Sequence, residues 1–343
     1  MNIYRLLKYY RKIKNHRIRA LGLLGLHLAH RRYVNLFFDP VLACNLSCRM
    51  CYFSVPSYRK SVAGKLFSMS DVEAIAGALF PRMLRVQIGC GAEPTVYPHL
   101  EAVVELAHRY RVPYISLTTN GNLLSFDKMR QLVEAGLNEI TISCHGFSKE
   151  MYENMMQGAS FDKFLALTAS LKQLQSEYAH FKVRLNFTVN EENMTDIPLM
   201  PTVLDGLRMD VIQIRPIQKL GETSYSNFSK TKILEHYDEL LKPAIEHFKA
   251  MEDTTIIYPT KQNLMAVDGI DSTDTTNEAV DAIPQFYLGP DEGWREQFDP
   301  YHETFDSYCR RTGRVSFLLR CIFSRSVAKN TMATKKLNYE VDN

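Results

Sequence analysis

The sequence predicts an α/β protein built around a parallel sheet, and three observations carry that prediction. Six short segments rich in β-branched and aromatic residues recur between Val34 and Pro216. Helical patterns separate them in regular alternation, and small or polar residues collect just after the strand segments. Such alternation implies parallel strands joined by right-handed crossovers, hence an open doubly wound sheet or a full or partial barrel. In either architecture the site sits at the carboxyl ends of the strands.

The elements follow in order. Ile3, Leu6, Leu7, Tyr10 and Ile13 recur at helical spacing with Arg5, Lys8, Arg11 and Lys12 on other faces, so residues 3–19 read as a basic amphipathic helix. The apolar run "LGLLGLHLAH" from Leu21 to His30 is too short to span a bilayer. Strands are expected at Val34–Ala43, Arg85–Gly89, Tyr114–Thr118, Glu139–Ser143, Lys182–Val189 and Val211–Pro216. Helices are expected at Ser70–Leu79, His99–Tyr110, Ser125–Ala135, Ser160–Tyr178 and Asp196–Leu207. Ser70 with Glu73 reads as a capping box, Ser125 as an N-cap and Gly136 as a helix exit. Beyond Leu220 the rhythm changes. Lys230–Met251 reads as a helix kinked near Pro243, Asp268–Asp306 as an acidic flap anchored by Trp294, and the stretch between Cys309 and Cys321 as strand-like. Three regions result: a basic N-terminal helix at 1–33, the core at 34–220 and a small C-terminal appendage at 221–343.

Composition sets the class. A chain of 343 residues with 45% apolar and 23% charged residues has the proportions of an ordinary globular protein with a substantial core. The net charge of +3 conceals an asymmetry: residues 1–33 carry nine bases and no acid, leaving 32 bases against 38 acids elsewhere. No cleavable signal is evident, so a cytoplasmic location is expected. In a reducing compartment, clustered thiols point to metal binding or catalysis rather than to disulfides.

Three of the seven cysteines stand within eight residues, at Cys44, Cys48 and Cys51, directly after the first strand segment. A structural zinc site wants four protein ligands, as two separated pairs. Soft thiolates also hold iron–sulfur clusters, and three of them on a cube of four irons would leave one iron open. Further motifs close the later strands: "GCGAEPT" the second, "TTNG" the third, "SCHG" the fourth and "RPIQ" the sixth.

The C-x3-C-x2-C spacing, followed in order by "GAEP" at Gly91–Pro94, "TTNG" at Thr118–Gly121 and Ser143, resembles the radical S-adenosylmethionine (radical SAM) superfamily over residues 34–220. The resemblance implies a partial (β/α)6 TIM-like barrel in which Cys44, Cys48 and Cys51 hold a 4Fe–4S cluster. It implies that S-adenosylmethionine (SAM) binds the open iron and is cleaved reductively, yielding a 5′-deoxyadenosyl radical that abstracts a substrate hydrogen. Carried over by position, Gly91, Ala92 and Glu93 would hold the methionine end of SAM, largely through backbone groups, with Thr119 and Asn120 near the cofactor. Ser143 would bond the ribose, Met50 would take the place of an aromatic residue beside the adenine, and Gln213 and Arg215 would face the barrel mouth or the adenine side of the cofactor. Two further departures stand out: Ala92 replaces a glycine, and Met155, Met156 and Gln157 stand where many relatives carry an arginine, with Arg184 as a candidate to compensate.

The C-terminal region resembles an incomplete SPASM or twitch domain, with Cys309 and Cys321 as its remaining cysteines. That resemblance tilts the expected substrate toward a peptide or protein, with a membrane-associated lipid or carbohydrate intermediate, another small molecule, or a non-catalytic iron–sulfur scaffold as alternatives. The expected electron donor is a flavodoxin or ferredoxin. Residues 1–30 are a candidate for peripheral contact with the inner face of a membrane, the other readings being a partner groove or docking on the barrel. Nucleic acid is not an expected partner, because no basic module with interleaved aromatic residues is present. Cys90, Cys144, His99 and His145 read as structural, and Met151, Met155 and Met156 as core filler.

Overall fold

The computed structural model describes residues 13, 15–219, 221–265, 284–323 and 340–342. Most of the amphipathic segment 3–19 and the first part, 268–283, of the stretch expected as an acidic flap lie outside these residues. The first helix of the described residues is α1 (His16–Leu28), capped by the Asn15 side chain, followed by β1 (Val34–Phe38) and α2 (Pro56–Ser61). There follow α3 (Met69–Leu79), β2 (Met83–Ile88), α4 (Leu100–Arg109), β3 (Tyr114–Thr119), α5 (Phe126–Glu134), β4 (Glu139–Cys144), α6 (Lys149–Met155) and α7 (Phe161–Glu177). Then come β5 (Lys182–Val189), α8 (Met200–Val203), β6 (Val211–Pro216), α9 (Thr231–Glu235), α10 (Lys242–Lys249), β7 (Thr255–Tyr258), α11 (Lys261–Met265) and β8 (Gln285–Leu288). The last elements are α12 (Trp294–Gln297), α13 (Phe305–Arg311), α14 (Arg314–Phe323) and β9 (Glu340–Asp342).

The strands form one open sheet in the order β8-β1-β2-β3-β4-β5-β6-β7-β9, parallel throughout except for β9. The six expected strands are its centre, and β7 and β8 extend it to eight parallel strands, a partial TIM-like barrel. One face of each central strand, such as Val183, Leu185, Phe187 and Val189 of β5, is buried in the apolar core against the helices. The other face is polar. Its floor is a buried network in which Arg85 pairs with Glu139 at 3.2 Å and donates to Ser116, while the Tyr114 hydroxyl donates to Glu139 at 2.7 Å.

Several expectations are corrected. β1 stops at Phe38 instead of Ala43, because Pro40 lacks an N–H and Asp39 turns its carboxylate to the loop after β2. The capping box on α3 is Ser68 with Asp71, two residues earlier than the equally well patterned Ser70–Glu73. Asp196–Leu207 is a 3-10 segment (Asn193–Leu199) followed by the short α8, since Pro198 and Pro201 prevent a continuous α-helix. The break expected near Pro243 lies just before it, in a π-turn at Tyr237–Leu241. The run between Cys309 and Cys321 is helical, in α13 and α14: its apolar residues Val315, Leu318, Leu319 and Ile322 recur every three or four positions. At the N-terminus one helix runs through residue 19 to Leu28.

Candidate functional site

The loop from Asp39 to Cys51 carries the three cysteines across the carboxyl end of β1, and its shape is imposed from outside. Arg59 on α2 reaches back and donates to the carbonyls of Cys44 (2.8 Å), Leu46 (2.8 Å) and Phe53 (3.2 Å) and to Ser47 Oγ (2.5 Å). On the opposite side, Ser47 N donates to Gln157 O at 2.9 Å and Arg49 N to Met155 O at 3.0 Å. Met155 and Gln157, which stand where many relatives carry an arginine, supply main-chain acceptors here.

All seven cysteines are free, and Cys44, Cys48 and Cys51 are half-buried. Burial pushes the Cys44 thiol up to about 11 and raises Cys51, and burial with the two neighbouring thiols raises Cys48. Thiols in such surroundings lose their protons when iron supplies the compensating charge. Among the described residues, no three His, Cys, Asp or Glu side chains converge on a single metal ion. Ligands to a cluster bind separate irons and stand farther apart than those around one zinc, so three soft thiols fit a cluster better than a zinc knuckle.

The loop after β2 begins at Gly89, whose φ is +83° and whose Cβ, if present, would lie 2.4 Å from Thr118 O. Only glycine fits there. Asp39, almost fully buried, accepts from Cys90 N at 2.7 Å, Gly91 N at 3.0 Å and the Tyr287 hydroxyl at 3.0 Å. Burial raises its carboxyl pKa and these bonds oppose the rise. The Tyr52 hydroxyl donates to Gly91 O at 2.5 Å, and Glu93 N donates to Ala43 O, so "GAEP" is fastened to the cysteine loop on both sides of Ala92.

Glu93 is a latch between motifs. Its carboxylate accepts from Thr95 N and Oγ1, from Thr119 Oγ1 at 2.7 Å and from Asn120 N at 2.8 Å. Asn120 in turn donates to Asn45 Oδ1 at 2.9 Å and lies 4.0 Å from Cys44 Sγ. Gly91, Ala92, Glu93, Thr119 and Asn120 therefore form one hydrogen-bonded body with the cysteine loop.

Met50 points to the far side of the mouth. Asn190 Nδ2 lies 2.9 Å from its sulfur and 3.6 Å from that of Met155, and Met155 packs with Ile217 and Tyr225. Tyr225 belongs to the strap after β6, whose backbone N–H bonds Arg49 O at 3.0 Å. The wall between Met50 and the sheet is polar. Ser143 is in register with Asn186, and Arg215 with Thr188, to whose Oγ1 it donates at 2.9 Å. Arg184 donates to Asn186 and Gln213. His145 also faces this wall, accepting from Thr188 N at 3.4 Å; burial, aided by Arg215, lowers its pKa to about 3.

No sequence motif marks Arg59, Tyr52 or Tyr287. Asp39 falls inside the strand expected at Val34–Ala43 and is not among the expected site residues. Cys309 and Cys321 lie in the apolar core on α13 and α14, Cys144 is fully buried, and exposed His302 pairs with Asp299.

A partial barrel with a three-thiol loop at its carboxyl rim defines a class of iron–sulfur α/β domain. Residues 40–198 match the model of the Radical SAM superfamily. The cofactors of that superfamily are a 4Fe–4S cluster and SAM. A probable GTP 3′,8-cyclase of Sulfurisphaera tokodaii is 25% identical over 209 residues, 58% of this chain and 60% of the relative. One from Saccharolobus solfataricus is 25% identical over 200 residues, 57% and 62%. The matched stretch thus spans about three-fifths of these relatives' length. SuiB of Streptococcus suis bound to SAM superposes with a TM-score of 0.55 at 13% identity, covering 77% of this chain and 61% of that one. SuiB bound to its precursor peptide SuiA gives 0.58 at 13% identity, covering 84% and 67%. Both likenesses are of fold.

Proposed function

We propose that the protein is a radical SAM enzyme in which Cys44, Cys48 and Cys51 hold a 4Fe–4S cluster, leaving its fourth iron to SAM. The observation that carries the reading is the fixed three-thiol loop: Arg59 and the Met155–Gln157 backbone hold it open-ended, and Asn120 and Glu93 join it to the next two strand ends. When bound, the pair supplies reductive cleavage of a sulfur–carbon bond and a carbon radical that takes a hydrogen atom from substrate.

The chain's own residues then have distinct tasks. Gly91, Ala92 and Glu93 present main-chain groups to the methionine end of SAM, and Asp39 fixes the orientation of that backbone. Met50, Ser143 and the strap bearing Tyr225 border the nucleoside. A flavodoxin or ferredoxin in the cytoplasm supplies the single electron.

Substrate enters the polar face formed by His145, Asn186, Thr188, Gln213 and Arg215. The expected preference for a peptide or protein loses one support, since Cys309 and Cys321 are packed in a helical core. A nucleotide is the second reading. The relatives named GTP 3′,8-cyclase and the guanidinium groups of Arg184 and Arg215 on this wall favour it. The test is 5′-deoxyadenosine formation by the reconstituted protein with SAM and reductant, followed by a comparison of GTP and a peptide pool as accelerants. A cluster-loaded protein that makes no 5′-deoxyadenosine sinks the enzymatic reading, and acceleration by peptides alone sinks the nucleotide reading.

A further inference from the structure

Helix α1 is apolar on both faces: Ala20, Leu23 and Leu24 are buried in the core, and a second apolar arc is left exposed. Its two charged or titratable interior residues, Arg19 and His27, are each only 8% exposed and face the protein, whereas Leu21 is 59% and Leu28 63% exposed. Between Ile18 and Ala29 the outward arc consists of Ile18, Leu21, Gly22, Gly25, Leu26, Leu28 and Ala29, with no polar side chain. A helix facing water shows the reverse pattern. His27 is held inward by the Tyr33 hydroxyl at 3.0 Å and by Arg82, which also pairs with Asp306 at 3.2 Å.

Helix α14 packs on α1 and continues the exposed apolar surface with Leu319 and Phe323, the latter 80% exposed. Charge is segregated in the same way. Residues 1–38 and 307–339, which contribute these two helices, contain 17 Lys and Arg and no Asp or Glu, against 24 bases and 38 acids in the rest of the chain. Arg17, Arg31 and Arg320 are among the exposed bases.

We propose that the face formed by α1 and α14 is a peripheral membrane-binding surface that seats Ile18, Leu21, Leu26, Leu28, Leu319 and Phe323 in the interface of an anionic bilayer. An uncharged arc flanked by the exposed bases Arg17, Arg31 and Arg320, with the nearby Asp306 engaged by Arg82 and His30, matches that chemistry: apolar side chains enter the acyl boundary while the bases meet lipid phosphates. No helix among the described residues is long and apolar enough to cross a membrane, so contact is in the interface plane. The surface lies outside the cofactor site, and the inference stands or falls separately from the catalytic reading.

The experiment is sedimentation of the full chain with vesicles of phosphatidylcholine alone or mixed with phosphatidylglycerol. The protein is expected to partition onto the mixed vesicles, more weakly onto the neutral ones, and less as salt rises. The double substitution L21E and L28E lowers partitioning roughly 100-fold, while L165E, at an exposed leucine on α7, leaves it unchanged. Both target side chains are exposed, so the unfolding transition should persist in the variant. Gly25→Ala separates the occupants: a Cβ there meets no atom within 4 Å among the described residues, so bilayer binding is retained. Loss of binding with Gly25→Ala would instead assign the face to a closely packed helix and overturn the proposal. No partitioning, partitioning insensitive to L21E and L28E, or self-association abolished by them without vesicle binding overturns it too.

Discussion

Arg59→Ala should open the cysteine loop without touching a cysteine. The guanidinium makes four hydrogen bonds to neutral oxygens on both sides of Cys48. Bonds from a charged donor are worth about 1.5–3 kcal/mol each when buried. Arg59 is half-buried, the bonds act as one unit and the freed carbonyls can meet water, so about 3 kcal/mol is a sound expectation for the set. That loss falls on the loop rather than on the sheet, and 3 kcal/mol corresponds to roughly a 100-fold change in an equilibrium. The assay is the rate at which a chelator strips the visible absorbance of the reconstituted cluster under anaerobic conditions. Arg59→Ala should lose it roughly 100-fold faster, with a global unfolding transition close to the parent's. Arg59→Lys, which keeps the charge but not the fork, should fall between them. Stripping at the parent's rate in Arg59→Ala would refute the idea that this side chain holds the loop.

Three other perturbations have clear outcomes. Gly89→Ala forces a side chain into positive φ and against Thr118 O, so a cost of about 3 kcal/mol or more should appear as a large drop in the thermal midpoint. Asp39→Asn replaces an acceptor of two backbone N–H groups and a tyrosine hydroxyl with a group that must turn one donor toward them. SAM affinity, read by equilibrium binding to cluster-loaded protein, should fall about tenfold while iron content is kept. His145 binds its proton only near pH 3 when folded but from its ordinary value of 6.5 when unfolded. The stability it allows is therefore complete above pH 6.5 and is lost as pH falls toward 3, at up to about 1.4 kcal/mol per pH unit. Urea unfolding of His145→Gln should show a shallower acid slope by close to one proton, and an unchanged slope would mean that this histidine titrates normally.

What was legible in the sequence, and what was not, follows from the reach of each signal. The strands were readable because β-branched runs between turn formers are local, and so β2 to β6 fall within a few residues of their expected bounds. The cysteine spacing, "GAEP" and "TTNG" were readable because each lies in one contiguous stretch. The latch made by Glu93, the clamp made by Arg59 and the Asp39–Tyr287 bond were not, since each joins segments whose proximity only the barrel creates. β7 and β8 were missed because strands of four residues carry too little pattern, and β8 is preceded by a long acidic stretch. Helix α14 reads as a strand in sequence because "VSFLL" is rich in residues that also suit sheets. The exposed apolar arc of α1 was invisible for a different reason: the run from Leu21 to His30 is apolar nearly all round, and only packing shows which of its leucines are covered.

The central claim is that three cysteines hold a cluster with one corner kept for SAM. The measurement that tests it most directly is electron paramagnetic resonance of the reduced, anaerobically reconstituted protein, recorded with and without SAM. A signal from about four irons per chain that changes shape when SAM is added, and that disappears in Cys48→Ala, is the predicted result. A cluster signal indifferent to SAM, or one that survives in Cys48→Ala, would contradict it.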